Sequence, residues 1–297
     1  MWADRQKGAR VAGTLARLAQ LSTDTFYNPY QVFDWPAEVP AGQFWMSPEL
    51  ISLYGTPDME RLSPAELLGL SRWESINFYS ANVHGIRDLL LAVLRRTYHA
   101  DFEPYSDYFS HFIGEENAHM WFFAQFCLRY GGKIYKNKNL PFGRPAPPDI
   151  QDFITFAQIL IFEDIGHFYN ARLKDDERLP PIVRQLNRVH YEDEARHIAM
   201  GRELVAGCHE RLREKYPADA LRQVEDYVCR YVKLSIESYY NPEAYVDAGL
   251  DEPYRLRERV LRHPARRQHH RTVLRRLIKF FEGDLSFQQR LFDDAAH

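Results

Sequence analysis

The chain has 297 residues, 45% of them apolar, with a net charge of −3, which allows a sizeable buried core and gives no general case for nucleic-acid binding. No run of 18 apolar residues occurs, so no transmembrane helix is expected. Cys127, Cys208 and Cys229 are far apart and form no CxxC pair, which excludes a disulfide scaffold, fits a reducing compartment and makes the cytoplasm the expected location.

The N-terminal stretch MWADRQKGARVAGTLARLAQLS lacks the apolar centre of a secretory signal. Its weak amphipathicity reads as an N-terminal helix or arm rather than a transit peptide. Pro and Gly are spread through residues 24–60, so an extended arm that wraps a bundle is expected, with one short helical turn at 47–54.

Long helical segments follow. The first, 63–99, opens on Ser63-Pro64-x-Glu66, a capping box with proline at the first helical position. The second, 104–130, stops at Gly131-Gly132. A Pro- and Lys-rich connection, KIYKNKNLPFGRPAPPD, leads to a third at 149–174. The middle of that helix, FITFAQILIF, is apolar nearly all round, as in a buried helix. A fourth helix is predicted at 180–215, a fifth at 218–240, and a strongly basic last helix at 265–282. No hairpin signal or internal repeat stands out. The expected fold is all-α: a four-helix bundle core at about 63–215, an N-terminal arm at 1–60 and extra C-terminal helices at 218–290, in one domain spanning 1–297.

The acidic and histidine residues fall into a pattern on those helices. The second carries Glu116-x-x-His119 and the fourth carries His190-x-x-x-Glu194-x-x-His197. Positions i and i+3 lie about 60° apart on a helix, so both members of a Glu-x-x-His pair can grip one object. The first helix offers Glu74 and the third Glu163, the latter inside an apolar run with no obvious solvent face. One element per helix, alternating Glu with Glu-x-x-His, is the arrangement of di-iron and di-manganese carboxylate bundles. Four carboxylates cannot all stay ionised in one apolar core without counter-charge, and two divalent ions supply it. Oxygen and imidazole donors suit iron or manganese, and two iron ions are expected rather than manganese. A lone Glu-x-x-His is usually surface charge or a core histidine bonded to a carbonyl; two of them on alternating helices, with a Glu on each of the others, reverse that balance.

His190 shares a face with Glu194 and His197 and completes a seven-residue set: Glu74, Glu116, His119, Glu163, His190, Glu194 and His197. His167, four residues after Glu163, competes for the seventh place or supports a ligand from outside it. Asp193 is placed to hold the outer nitrogen of a ligand histidine and Arg196 to pair with it, and Glu115 either acts likewise or is exposed. His84 and His111 lie off the Glu faces of their helices. Phe78, Phe112, Phe123, Phe156 and Leu160 face the ligands, as substrate wall or as plain core.

Asp193-Glu194-Ala195-Arg196-His197 resembles the Asp/Glu-Glu-x-Arg-His signature of ferritin-like di-iron oxygenases, and the added His190 is similar to the p-aminobenzoate N-oxygenase type. FWMSPELISLYGTP followed by LSRWE also resembles that family's approach to its first ligand helix, and the resemblance covers roughly residues 40–240. It implies that the same seven residues bind two iron ions, that O2 is activated there, and that oxygen passes to an amine nitrogen, giving a hydroxylamine, nitroso or nitro product in specialised-metabolite biosynthesis. The expected partners are a small-molecule amine, free or carrier-bound, O2, an electron-donor protein or reductase and a second copy of the chain, with neither nucleic acid nor membrane. Other di-iron oxidations (C–H hydroxylation, desaturation, oxidative C–C cleavage) and a ferritin-like iron-handling role use the same ligands. The ten Lys and Arg residues between Arg255 and Lys279 read as a solvated face, a dimer contact or a docking patch for an acidic electron-transfer protein.

Overall fold

The structure, a computed structural model, describes residues 2–136 and 146–292. Most of the connection expected between the second and third bundle helices lies outside those residues. The described residues are helical, with no strand. An N-terminal helix, α1 (Trp2–Asp24), is followed by a 3₁₀ turn (Pro48–Leu50) and the short α2 (Pro57–Glu60). The bundle is α3 (Pro64–Leu94), α4 (Ser106–Phe126), α5 (Pro148–Leu173) and α6 (Pro181–Lys215). Outside it stand α7 (Ala218–Ser238), α8 (Pro242–Asp247), α9 (Pro253–Leu261) and α10 (Pro264–Ile278). No helix among the described residues is long and apolar enough to cross a membrane.

The local signals act where expected. Ser63 accepts from Glu66 N at 3.3 Å while Glu66 Oε2 accepts from Ser63 N at 2.8 Å, closing the capping box of α3. That helix ends at Leu94 rather than near 99, because Tyr98 takes a positive φ of 58° and the chain re-enters a 3₁₀ turn (Ala100–Tyr105) before α4. The last turn of α4 widens into a π turn (Cys127–Gly131), and Gly132, at φ 71°, turns the chain away.

α3 and α4 run antiparallel: Ile76 packs on Gly131 while Tyr79 stacks on Phe123 at 5.0 Å. α5 and α6 do the same, with His190 beside Gly166, Leu160 on Gly201, and Phe153 against His209. The arm between α1 and α3 wraps this bundle. Trp45 N donates to Ser71 Oγ at 2.8 Å, Tyr130 OH to Pro36 O at 2.7 Å, and Gln185 Nε2 to Val32 O at 2.8 Å. The C-terminal helices close the opposite side. Much of their positive charge is structural: Arg266, 1% exposed, donates to Tyr240 OH at 2.9 Å, and Arg259 pairs with Asp58 at 2.8 Å.

Candidate metal centre

Glu116, His119, Glu194 and His197 meet in the middle of the bundle, with one donor atom of each within 4.8 Å of all the others. The helix spacing does this: each Glu and its histidine are one turn apart on the inner faces of α4 and α6. His119 Nδ1 lies 3.2 Å from Glu116 Oε1, and His197 Nδ1 lies 2.8 Å from the same oxygen and 3.3 Å from Glu194 Oε2. His190 joins them, with Nε2 3.0 Å from Glu194 Oε1 and its ring 4.5 Å from that of His119. Glu163 completes the set from α5. It is 1% exposed and lies beside Glu194, whose charge acts on it directly.

Glu116 Oε2, both oxygens of Glu163, both of Glu194, His190 Nε2 and His197 Nδ1 are buried without a hydrogen-bond partner. Buried polar atoms are normally paired, so a cluster of orphans made only of carboxylate oxygens and imidazole nitrogens fits a metal centre. Burial, then the charges of Glu194 and Glu116, push Glu163 well above the usual carboxylate range. Burial also acts to raise Glu194, but His190 and His197 outweigh it and hold that group well below. Six side chains from α4, α5 and α6 therefore offer hard oxygen and imidazole donors suited to iron or manganese.

The outer nitrogens are held as such sites require. Asp193 Oδ2 accepts from His119 Nε2 at 2.9 Å and from Tyr27 OH, on the arm, at 3.1 Å. Glu115 Oε2 accepts from His197 Nε2 at 2.8 Å. Arg196 donates to Asp193 Oδ1 and, at 2.6 Å, to Glu115 Oε1, tying the two carboxylates together. The Asn170 amide sits against His190 Nδ1. Turned so that Oδ1 faces the ring, it accepts the Nδ1 proton and leaves the Nε2 lone pair for a metal. Asn170 was not among the expected residues, although it stands seven positions after Glu163 and so on the same face.

Two expectations are corrected. Glu74 does not reach the cluster: its carboxylate accepts from Ser52 N at 2.8 Å and from the Ser52 hydroxyl, under Tyr245 and beside Arg266. Only packing decides which turn of α3 faces the site, and Glu74 lies at the wrong level. Burial lifts its carboxyl to about 7. A carboxyl raised in the folded state loses stability as pH climbs from its unfolded value to the folded one. Glu74→Gln is therefore expected to flatten that fall, worth roughly 3 kcal/mol between pH 5 and 8, and to leave metal content unchanged; thermal melts and metal analysis at both pH values check it. His167 is the second. Expected to support a ligand, it instead lies tilted against Tyr191 at 4.3 Å and accepts from Arg276 at 3.3 Å, while His190 stands beside Glu194.

Of the expected aromatic lining, Phe112 and Phe123 pack on His197 (4.6 Å) and His190 (4.9 Å). Phe78 stacks instead on Tyr169, Phe156 on Phe109, and Leu160 against Gly201. A small cleft of about 70 Å³ lies between α3, α5 and α7, lined among others by Asn77, His84, Phe162, Tyr231 and Tyr239. His84, off the ligand face, belongs to this cleft, and its Nε2 contacts Tyr135 O at 2.7 Å.

The family model for the p-aminobenzoate N-oxygenase AurF matches residues 9–283. The chain belongs to that family. Family and site together make it a dimetal oxidase or oxygenase. It is 24% identical over 243 residues to "Uncharacterized protein MT0908" of Mycobacterium tuberculosis (strain CDC 1551 / Oshkosh), covering 78% of this chain and 69% of that one. The same figures hold for "Uncharacterized protein Mb0909" of Mycobacterium bovis. Among solved structures, the fold is similar to a mutant R2-like ligand-binding oxidase with an aerobically reconstituted Mn/Fe cofactor (TM-score 0.51, 12% identity, 88% of this chain and 92% of that one). The R2-like ligand-binding oxidase from Sulfolobus acidocaldarius matches at TM-score 0.45 and 15% identity, over 89% of this chain and 90% of that one.

Proposed function

We propose that the protein is an O2-dependent di-iron N-oxygenase that converts a small organic amine to its hydroxylamine, with nitroso or nitro products on further turnover. The observation that carries this reading is the third histidine. His190 stands with Glu116, His119, Glu163, Glu194 and His197 in one buried set, inside a chain of the N-oxygenase family. When bound, the iron pair supplies O2 activation. Forming an N–O bond from an amine and O2 consumes two electrons and two protons, with the second oxygen leaving as water. The electrons come from a donor protein or reductase.

The chain's own residues bind, orient and exclude water. The Asp193–Arg196–Glu115 bridge fixes His119 and His197 in the tautomer that offers Nδ1 inward. Phe112 and Phe123 cover the histidine rings and keep the centre dry. The amine enters the cleft between α3, α5 and α7, where Tyr231, Tyr239 and Phe162 present aromatic surface and Asn77 and His84 present polar groups. One close approach shapes its wall: a Cβ on Gly85 would stand 2.3 Å from the Phe162 ring, so only glycine lets that ring lie against α3.

The test loads metal-free protein with Fe²⁺ anaerobically, adds aryl and alkyl amines with a chemical reductant, admits O2 and follows products by mass spectrometry. Oxygen gained on nitrogen is the expected result. Oxygen on carbon would replace this reading with a C–H oxidation. Iron uptake far above two per chain without product would replace it with iron handling.

A further inference from the structure

Dimetal bundles of this kind draw a carboxylate from each of four helices. Here α4, α5 and α6 supply Glu116, Glu163 and Glu194, and α3 supplies none, because Glu74 is engaged at Ser52. The buried polar residue of α3 that faces the Gly166 gap beside His190 is Asn82, eight positions on, about 12 Å further along the helix axis. It is 2% exposed. Its Nδ2 donates back to Phe78 O at 2.8 Å, one turn earlier. Oδ1 is thereby turned toward α5, 3.8 Å from the point where a Cβ on Gly166 would stand, and His190 Cε1 lies 3.9 Å from that same point. An amide oxygen and a ligand histidine are thus neighbours across a glycine, one turn from Glu163. The next inward residue of α3, Ile86, is fully buried and offers no donor.

This changes the charge balance. Three carboxylates and three neutral imidazoles leave two divalent cations with a net charge of +1 in a core that excludes water. The first ion is fully compensated; the second is not, and the helix that would correct this offers only a neutral amide.

We propose that Asn82 makes the centre unequal: it takes one divalent ion tightly and a second weakly, with Asn82 Oδ1 as the neutral oxygen donor beside the weaker position. The proposal rests on the metal-centre reading and not on the reaction. The unequal affinity leaves the weaker position free to exchange its ion while the other is retained.

The test titrates the metal-free full-length chain anaerobically with Co²⁺ alone, read by visible absorption, and repeats the titration with Fe²⁺, read by metal analysis after desalting. The wild type is expected to show one tight equivalent and a second weaker by on the order of 10- to 100-fold. Asn82→Asp, which keeps the shape and adds the missing charge, is expected to bring the second equivalent close to the first. Asn82→Ala should retain the first ion and lose the second on desalting. Thermal melts of the metal-free variants separate misfolding from lost binding, and if Asn82→Asp does not fold, the Asn82→Ala titration decides. Two equivalents of like affinity in the wild type, or an unchanged second equivalent in Asn82→Asp, would overturn the proposal. No bound metal at all would overturn the metal-centre reading with it.

Discussion

Metal-free Glu163→Gln protein is expected to melt higher than the metal-free wild type at pH 8, and metal-loaded Glu163→Gln lower than the loaded wild type. Without metal, Glu163 is a buried carboxylate with two orphaned oxygens, beside Glu194 and Glu116. Burial first, then those two charges, raise its pKa well above the usual range. The sign follows from linkage. A carboxyl raised in the folded state destabilises it as pH climbs above the unfolded value, so the advantage of Gln is absent below about pH 4 and grows toward neutrality. An unpaired buried polar group costs about 1–3 kcal/mol, which in a chain of this size is a shift of several degrees. With metal bound the sign reverses, because Gln removes a charged ligand and the stability that binding adds falls with affinity. Calorimetry of chelator-treated and reconstituted samples at pH 8 reads both arms. A shift of the same sign in both would show that Glu163 is not a ligand.

The second large effect is expected at Asp193, which touches no predicted metal position. Its carboxylate receives His119 Nε2, Tyr27 OH and the Arg196 guanidinium at once. Burial opposes its ionisation, but the hydrogen bond and charge of His119 outweigh burial and hold it below the usual range. Asp193→Ala therefore frees a ligand ring, leaves Arg196 short of a partner and unpins the arm. Loss of such a supporting carboxylate lowers metal affinity roughly 10- to 100-fold. Glu115→Ala should act alike through His197. Because Arg196 bonds both carboxylates, the double variant is expected to lose less than the sum. Competition with a chromophoric chelator measures all three; an Asp193→Ala protein with wild-type affinity would refute the supporting role.

The features legible in the sequence are those that one helix decides. The capping box at Ser63 and Glu66, the glycine stop after α4 and the bundle segments all follow from local hydrogen bonding and apolar periodicity. So does each Glu-x-x-His pair, because two side chains a turn apart share a face wherever the helix is placed. Asp193 and Arg196 are readable for the same reason, standing beside the ligands on α6.

What the tertiary structure decided is which turn of each helix lies at the level of the metal. Glu74 and Asn82 are both buried on α3, and nothing local says which faces α5 beside the cluster. The packing of α3 against α4 and α5 carries Glu74 to the Ser52 cluster and Asn82 to the Gly166 gap. The choice between His167 and His190 has the same origin. Each shares a helix face with a ligand Glu, but α10 brings Arg276 to His167 while α5 brings Asn170 to His190. Tyr27 lies 166 residues from Asp193, and only the wrapping of the arm joins them. Helical periodicity fixes angles around one axis; the axial offset between packed helices depends on how whole faces interlock, and no local spacing encodes it.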